Sequence, residues 1–381
     1  MTASIAGRTG IALTGVVLLV SAGWSANISG HLAVPGSAGP MRTALASPMR
    51  AARAAHTATT LRDGRVLVAG GFVEKGSPVG AELYDAEAGR FVQATPMIQT
   101  RHSHTATRLG DGRVLIAGGY GEGTTTLDAI EIFDPRTGTF SPGGRLAAAR
   151  AGHVAMLLRD GTVLMAGGVG PGWTFLAGAE IYDPASGHSR PIGDMTEARE
   201  SHVAVALTDG RIFVVGGHRG RRAEMVLHAS AEVFDPMTRR FTGVGDMQVP
   251  RHKHDAVRLR DGRVLITGGA DRRDSDGVYT STEIFDPATG RFARSADLQV
   301  PRYKHAGSSV LLPDGRVLIA GGAARPEIFD PGRTAFALVD GTDRLPGLFS
   351  AVAALPSGGA LVTGGYGAGL GPQPLAWVVR P

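Results

Sequence analysis

Six Arg-x-x-His tetrads punctuate the chain: Arg53/His56, Arg101/His104, Arg150/His153, Arg199/His202, Arg251/His254 and Arg302/His305. Imidazole and guanidinium are the groups that ligate metals and hold anions. Their regularity argues for another role. A residue that recurs in every unit of a repeat serves the scaffold, where these groups satisfy loop carbonyls, and no metal or cofactor is expected at this column. Chemistry is expected where the units differ. The two residues inside each tetrad read Ala54-Ala55, His102-Ser103, Ala151-Gly152, Glu200-Ser201, His252-Lys253 and Tyr303-Lys304. His102, Glu200, His252, Lys253, Tyr303 and Lys304 therefore become candidate ligand contacts.

A second variable segment follows each apolar run. It reads VGPGWTFLAG in the third unit, HRGRRAEMVLHAS in the fourth and ADRRDSDGVYTS in the fifth, and is nearly absent in the sixth. Trp173, His218 and Arg219 join the candidates from here. Long polar loops on one side and a low wall on the other suit a ligand groove. Asp271, Asp274 and Asp276 are close enough in sequence for Ca²⁺, but Arg272 and Arg273 oppose a cation and no closing Glu follows. His218, Arg219, Arg221 and Arg222 could hold a carboxylate or phosphate. Glu200, His252 and Tyr303 are capable of proton transfer, yet no motif fixes their geometry. The chain carries no P-loop, dinucleotide fingerprint, GxSxG elbow or HExxH pair.

The elements that position these residues are legible in the repeat itself. Gly-Gly pairs close apolar runs at 70–71, 118–119, 167–168, 216–217, 268–269, 321–322 and 364–365, about 49 residues apart. Each run belongs to a phrase such as HTATTLRDGRVLVAGG, in which two β-rich segments flank an Asp-Gly turn, a strong hairpin signal. A second hairpin follows, as in AELYDAEAGRF and IEIFDPRTGTF. Four short strands per unit make one propeller blade. Gly and Pro, 56 and 22 of 381 residues, stay below the level that marks low-complexity disorder, and 43% hydrophobic residues suffice for a core.

The apolar run, double glycine and two spaced aromatics resemble the kelch motif, including the repeats of the galactose-oxidase central domain. The first aromatic is Tyr84, Phe133, Tyr182, Phe234, Phe285 or Phe329; the second is Phe91, Phe140, Phe241, Phe292 or Phe336, with Ser189 in the third unit. Phe stands where the family has Trp. The resemblance covers residues 42–381 and implies an all-β, seven-bladed kelch-like β-propeller. Copper radical oxidases on this scaffold need a Tyr–Cys cross-link, and this chain has no cysteine. The last copy ends after a third strand, PLAWVVRP, while MRTALASPM (41–49) aligns with GRFVQATPM (89–97). An N-terminal strand is therefore expected to complete the last blade and close the ring.

Residues 1–26 read as a signal peptide or N-terminal membrane anchor, with Arg8 ahead of an apolar stretch, and 27–40 as a linker before the propeller at 41–381. The net charge is +5, from 39 cations against 34 anions spread along the chain. No basic face with interleaved aromatics marks a nucleic-acid partner. The sequence thus leads to an extracytoplasmic, monomeric binding module for a protein segment or a glycan. The alternative is a carbohydrate-acting enzyme of epimerase or mutarotase type at the same mouth.

Overall fold

The computed structural model describes residues 40–73, 80–341, 345, 347–367 and 371–380. The expected signal or anchor segment, and the linker as far as residue 39, lie outside these.

The hairpin grammar of the sequence becomes antiparallel blades. The first consists of Thr57–Thr60, Val66–Ala69, Ala81–Asp85 and Arg90–Gln93, paired in that order. The same four-strand order repeats through the sixth blade. The innermost strands are Thr57–Thr60, Thr105–Arg108, Val154–Leu157, Val203–Ala206, Asp255–Arg258, Ser309–Leu311 and Ala351–Ala354. Each touches the next, and the last touches the first, so the seven blades form a closed ring.

Closure follows the expected route. Arg42–Leu45 pairs antiparallel with Ala376–Arg380, in the register Arg42 with Arg380 through Leu45 with Trp377. The outer edge of the seventh blade is thus supplied by the N-terminal segment, which covers an otherwise open strand.

The second strand of each blade is apolar on both faces, because both are covered by neighbouring blades. Val66–Ala69, Val114–Ala117, Val163–Ala166, Ile212–Val215 and Val264–Thr267 are buried throughout. The cores lie between blades: Val66, Val68 and Tyr84 of the first pack with Leu361, Ala376 and Val378 of the seventh. The two motif aromatics face each other across the third and fourth strands, with ring centroids 4.9 Å apart for both Tyr84–Phe91 and Phe133–Phe140. In the third blade Ser189 replaces the second ring, and the Tyr182 hydroxyl instead donates to the Gly143 carbonyl at 2.6 Å.

Candidate functional site

The repeated tetrad forms two linked structural columns. Each arginine is buried and reaches a glutamate on the third strand of its own blade: Arg53–Glu82, Arg101–Glu131, Arg150–Glu180, Arg199–Glu232, Arg251–Glu283 and Arg302–Glu327, all within 2.6–3.0 Å. The guanidinium also donates to a carbonyl of the first glycine in the pair, as Arg101 does to Gly118 at 2.8 Å. The glutamate accepts backbone N–H groups from the incoming segment, such as Ile98 at 2.8 Å and Gln99 at 3.0 Å on Glu131. Buried charges need this degree of satisfaction to be tolerated. The seventh blade carries Gly347 in the arginine position and Trp377 in the glutamate position, so both charges are absent together.

Each histidine reaches back to the preceding blade. His56 Nε2 meets the Thr363 hydroxyl at 2.8 Å, and His104 and His153 meet Thr57 and Thr105 at 3.1 Å. Where the residue after the preceding histidine is Val154 or Val203, no hydroxyl is offered, and both ring nitrogens of His202 and His254 lack a hydrogen-bond partner. Burial, followed by the adjacent arginine, holds all six well on the neutral side; His202 and His305 fall to about 3. The first glycine makes this contact possible. At Gly70 (φ +63°) a Cβ would sit 2.6 Å from His104 Cε1 and clash with the Arg101 carbonyl oxygen.

Above these columns runs a backbone ring. Ala55, Ser103, Gly152, Ser201, Lys253, Lys304 and Phe349 occupy the same place in successive blades, and all have positive φ between 52° and 61°. Their amides donate from blade to blade: Ala55 to Phe349, Ser103 to Ala55, Gly152 to Ser103, Lys253 to Ser201, Lys304 to Lys253 and Phe349 to Lys304, at 2.8–3.1 Å. This fixes the second variable residue of each tetrad at the mouth. The first variable residue pairs with the one after Gly-Gly, as in Ala54 with Phe72, His102 with Tyr120 and Glu200 with His218. Both variable segments therefore share one face.

A belt of rings lines this face. Phe349, Tyr366, Phe72, His102, Tyr120 and Trp173 follow one another with centroids 5.4–6.4 Å apart. Trp173 is 45% exposed, and the Arg221 guanidinium lies 3.7 Å from its ring centroid. The belt continues through Phe175, His218 and His252, with centroids 5.6 and 4.8 Å apart. The residue directly after Gly-Gly carries much of it (Phe72, Tyr120, His218, Tyr366). Sequence reasoning passed over Phe72, Tyr120 and Tyr366; their signal was an aromatic at that fixed offset.

The polar groups form a chain within the belt. Ser201 Oγ donates to Glu200 Oε2 at 2.9 Å, and His218 Nδ1 lies 3.3 Å from the same oxygen. His218 abuts His252, whose Nε2 is 4.0 Å from Asp274 Oδ1, and Asp274 accepts both its bonds from Lys253 Nζ, at 2.8 and 2.9 Å. Burial lowers both histidines, His252 to about 3, so both are neutral. Burial, reinforced by the Glu200 charge, pushes the Tyr120 phenol up to about 12.

The nine candidates thus lie on one face with different access. Trp173 and Arg219 are exposed; His102, Glu200, Lys253 and Lys304 are half-buried. His218 and His252 are buried and back the wall. Tyr303 is 7% exposed, and its ring carries the Lys304 ammonium 4.8 Å from its centroid. No contact joins Tyr303 to Glu200. The two lysines differ: Lys253 is paired with Asp274, whereas among the described residues no carboxylate lies within ion-pair distance of Lys304. In the acidic loop, Asp271 binds Arg273 at 2.7 Å.

The kelch motif matches residues 101–146 and 201–248, spanning much of the second and fourth blades. No curated protein matches the sequence. Among solved structures, a similar chain is described as a novel fungal alcohol oxidase with catalytic diversity among the AA5 family, in complex with copper. It aligns with a TM-score of 0.66 and 16% identity over 90% of this chain and 76% of its own. At that identity the likeness shows the fold, a kelch-type propeller. The residues here do not fit a copper centre. Cysteine is absent from the sequence, and among the described residues no three His, Cys, Asp or Glu side chains are grouped to hold a metal ion.

Proposed function

We propose that this chain is an extracytoplasmic binding module whose loop face recognises a glycan. The observation that supports the reading is the aromatic belt, with Trp173 exposed and Glu200 beside it. Pyranose faces present C–H bonds that suit the negative face of an aromatic ring, while carboxylates and histidines take hydroxyl groups. A protein segment is the other ligand class such a belt can serve, since exposed Trp and Arg anchor interfaces. The two are separated by screening the purified protein against glycan and peptide arrays and measuring the best ligand by calorimetry. Trp173→Ala is expected to weaken a glycan ligand at least tenfold, about 1.4 kcal/mol, with an unchanged melting curve. A variant that binds as the parent does would overturn the reading.

The Glu200–His218 contact gives the alternative, a sugar-acting enzyme, its specific support, because a neutral imidazole beside a carboxylate can pass a proton. Turnover of reducing sugars followed by NMR, lost in Glu200→Gln, would favour it over simple binding. Export rests on residues 1–26. A reporter fused after residue 40 is expected outside the cytoplasm, and a cytoplasmic reporter would refute it. Among the described residues no helix is long and apolar enough to cross a membrane.

A further inference from the structure

The chain holds three lysines, Lys75, Lys253 and Lys304, and the environment of Lys304 sets it apart from Lys253. Its ammonium lies over two rings, 4.8 Å from the Tyr303 centroid and 5.2 Å from that of Phe349. Its backbone N–H donates to the Lys253 carbonyl at 2.8 Å, which ties a second ammonium-bearing residue beside it on the next blade. Asp274, the carboxylate of that neighbourhood, spends both oxygens on Lys253. A half-buried amine close to another cation, with no carboxylate of the described residues at ion-pair distance, is the arrangement that activates lysine as a nucleophile, although the two ring faces favour its ammonium form.

We propose that Lys304 is a nucleophilic amine at the propeller mouth that captures a small aldehyde or ketone as a reversible imine. The carbonyl can come from an open-chain sugar or from another metabolite; the chemistry is the same. The inference goes beyond the binding reading and stands without it, because a small carbonyl probe reports on Lys304 whether or not a glycan docks.

The step is balanced without an oxidant or reductant. The neutral amine adds to the carbonyl carbon, and one amine proton passes to the carbonyl oxygen, giving a carbinolamine. A proton then carries the hydroxyl off as water, and the resulting iminium returns that proton as it becomes the imine. Burial first, and the Lys253 charge second, favour the neutral amine that begins the step, while Asp274 and the faces of the two rings oppose them. Lys253 and Asp274 are the charged groups acting on it; Tyr303 and Phe349 supply the rings.

The test incubates the full chain with glycolaldehyde and cyanoborohydride at pH 7, beside free N-acetyl-lysine amide in the same tube. Peptide mass mapping then follows the lysines separately. Lys304 is expected to be alkylated several-fold faster than both Lys253 and the free standard. Lys253→Met, which removes the neighbouring cation and frees Asp274, should slow Lys304. Asp274→Asn, which removes the opposing anion, should speed it. Melting curves identify any variant that does not fold, and the parent comparison with the free standard then decides alone. Labelling of Lys304 no faster than the standard overturns the proposal, as does a shift of both folded variants in one direction.

Discussion

The backbone N–H of Gly365 donates to the carbonyl oxygen of Arg53 at 2.8 Å, joining the seventh blade to the first. The same bond runs from Gly71 to Arg101, from Gly119 to Arg150 and onward around the ring. The seam where the chain ends meet is therefore built like every other seam, and the added strand Arg42–Leu45 completes the outer edge alone.

Removing residues 1–46 should destabilise the whole ring, because the seventh blade loses its outer strand and the buried Met41. The expected result is one cooperative transition at a midpoint lower by several degrees, read by calorimetry. A melting curve superimposable on that of the intact chain would show that the strand contributes nothing to closure.

Glu131→Gln leaves the buried Arg101 guanidinium without its counter-charge. Stability should fall by about 3–5 kcal/mol, the usual cost of breaking a buried pair. A double variant, Arg101→Met with Glu131→Leu, should recover much of that loss, as the seventh blade dispenses with both charges through Gly347 and Trp377. Chemical denaturation of the three proteins provides the comparison; equal losses for single and double variants would refute it.

Acid should unfold the propeller steeply. The six column histidines are neutral when folded and take up protons near pH 6.5 when unfolded. Their folded values are depressed, so the stability they contribute is present above about 6.5 and is lost as pH falls from there. Each removes up to about 1.4 kcal/mol per pH unit. Asp255, raised to about 6 by burial and bonded to the amides of Gly307 and Ser309, acts in the opposite sense. Its contribution is lost as pH rises from about 4 through 6, and six imidazoles outweigh it. Urea melts at pH 7, 6 and 5 should show falling midpoints, and His202→Gln should flatten the slope. A midpoint constant from pH 7 to 5 would contradict the assignment.

Gly152 is the member of the mouth ring that lacks a side chain, and a Cβ there would lie 2.8 Å from Glu200 Oε1. The other six ring positions carry side chains at similar φ, so the backbone of Gly152→Ser costs about 1 kcal/mol. The substitution should displace the Glu200 carboxylate. Ligand affinity measured by calorimetry is expected to drop severalfold, with a melting point within a few degrees of the parent. An unchanged isotherm would remove Glu200 from the binding face.

The strands, the turn residues and the closing segment were legible because the repeat rewrites them from unit to unit, with Gly-Gly in all seven, Asp-Gly in six and the aromatic pair in five, in fixed register. The recurrence of the tetrad was legible for the same reason. Its partners were less so. Glu82, Glu131 and their counterparts recur in every phrase of the first six blades, but a glutamate on a strand announces no contact until the fold brings an arginine to it. The belt was half legible: Trp173 and His218 stood out as unusual types, while Phe72 and Tyr366 look like ordinary apolar residues. Which lysine keeps its charge unpaired depends on Asp274, 21 residues beyond Lys253, in a loop whose course no local pattern dictates.

The outer strand Arg42–Leu45 also sets an order of events during synthesis. Its partner Ala376–Arg380 is made about 330 residues later. At ~5–20 residues per second the strand waits roughly 20–70 s. Meanwhile the intervening blades can form and stack, and the circle locks only once Ala376–Arg380 has emerged. A nascent chain stalled before residue 376 therefore holds an arc of blades with both end faces exposed, the state in which this protein is most open to chaperones, proteases and mispairing with a second copy.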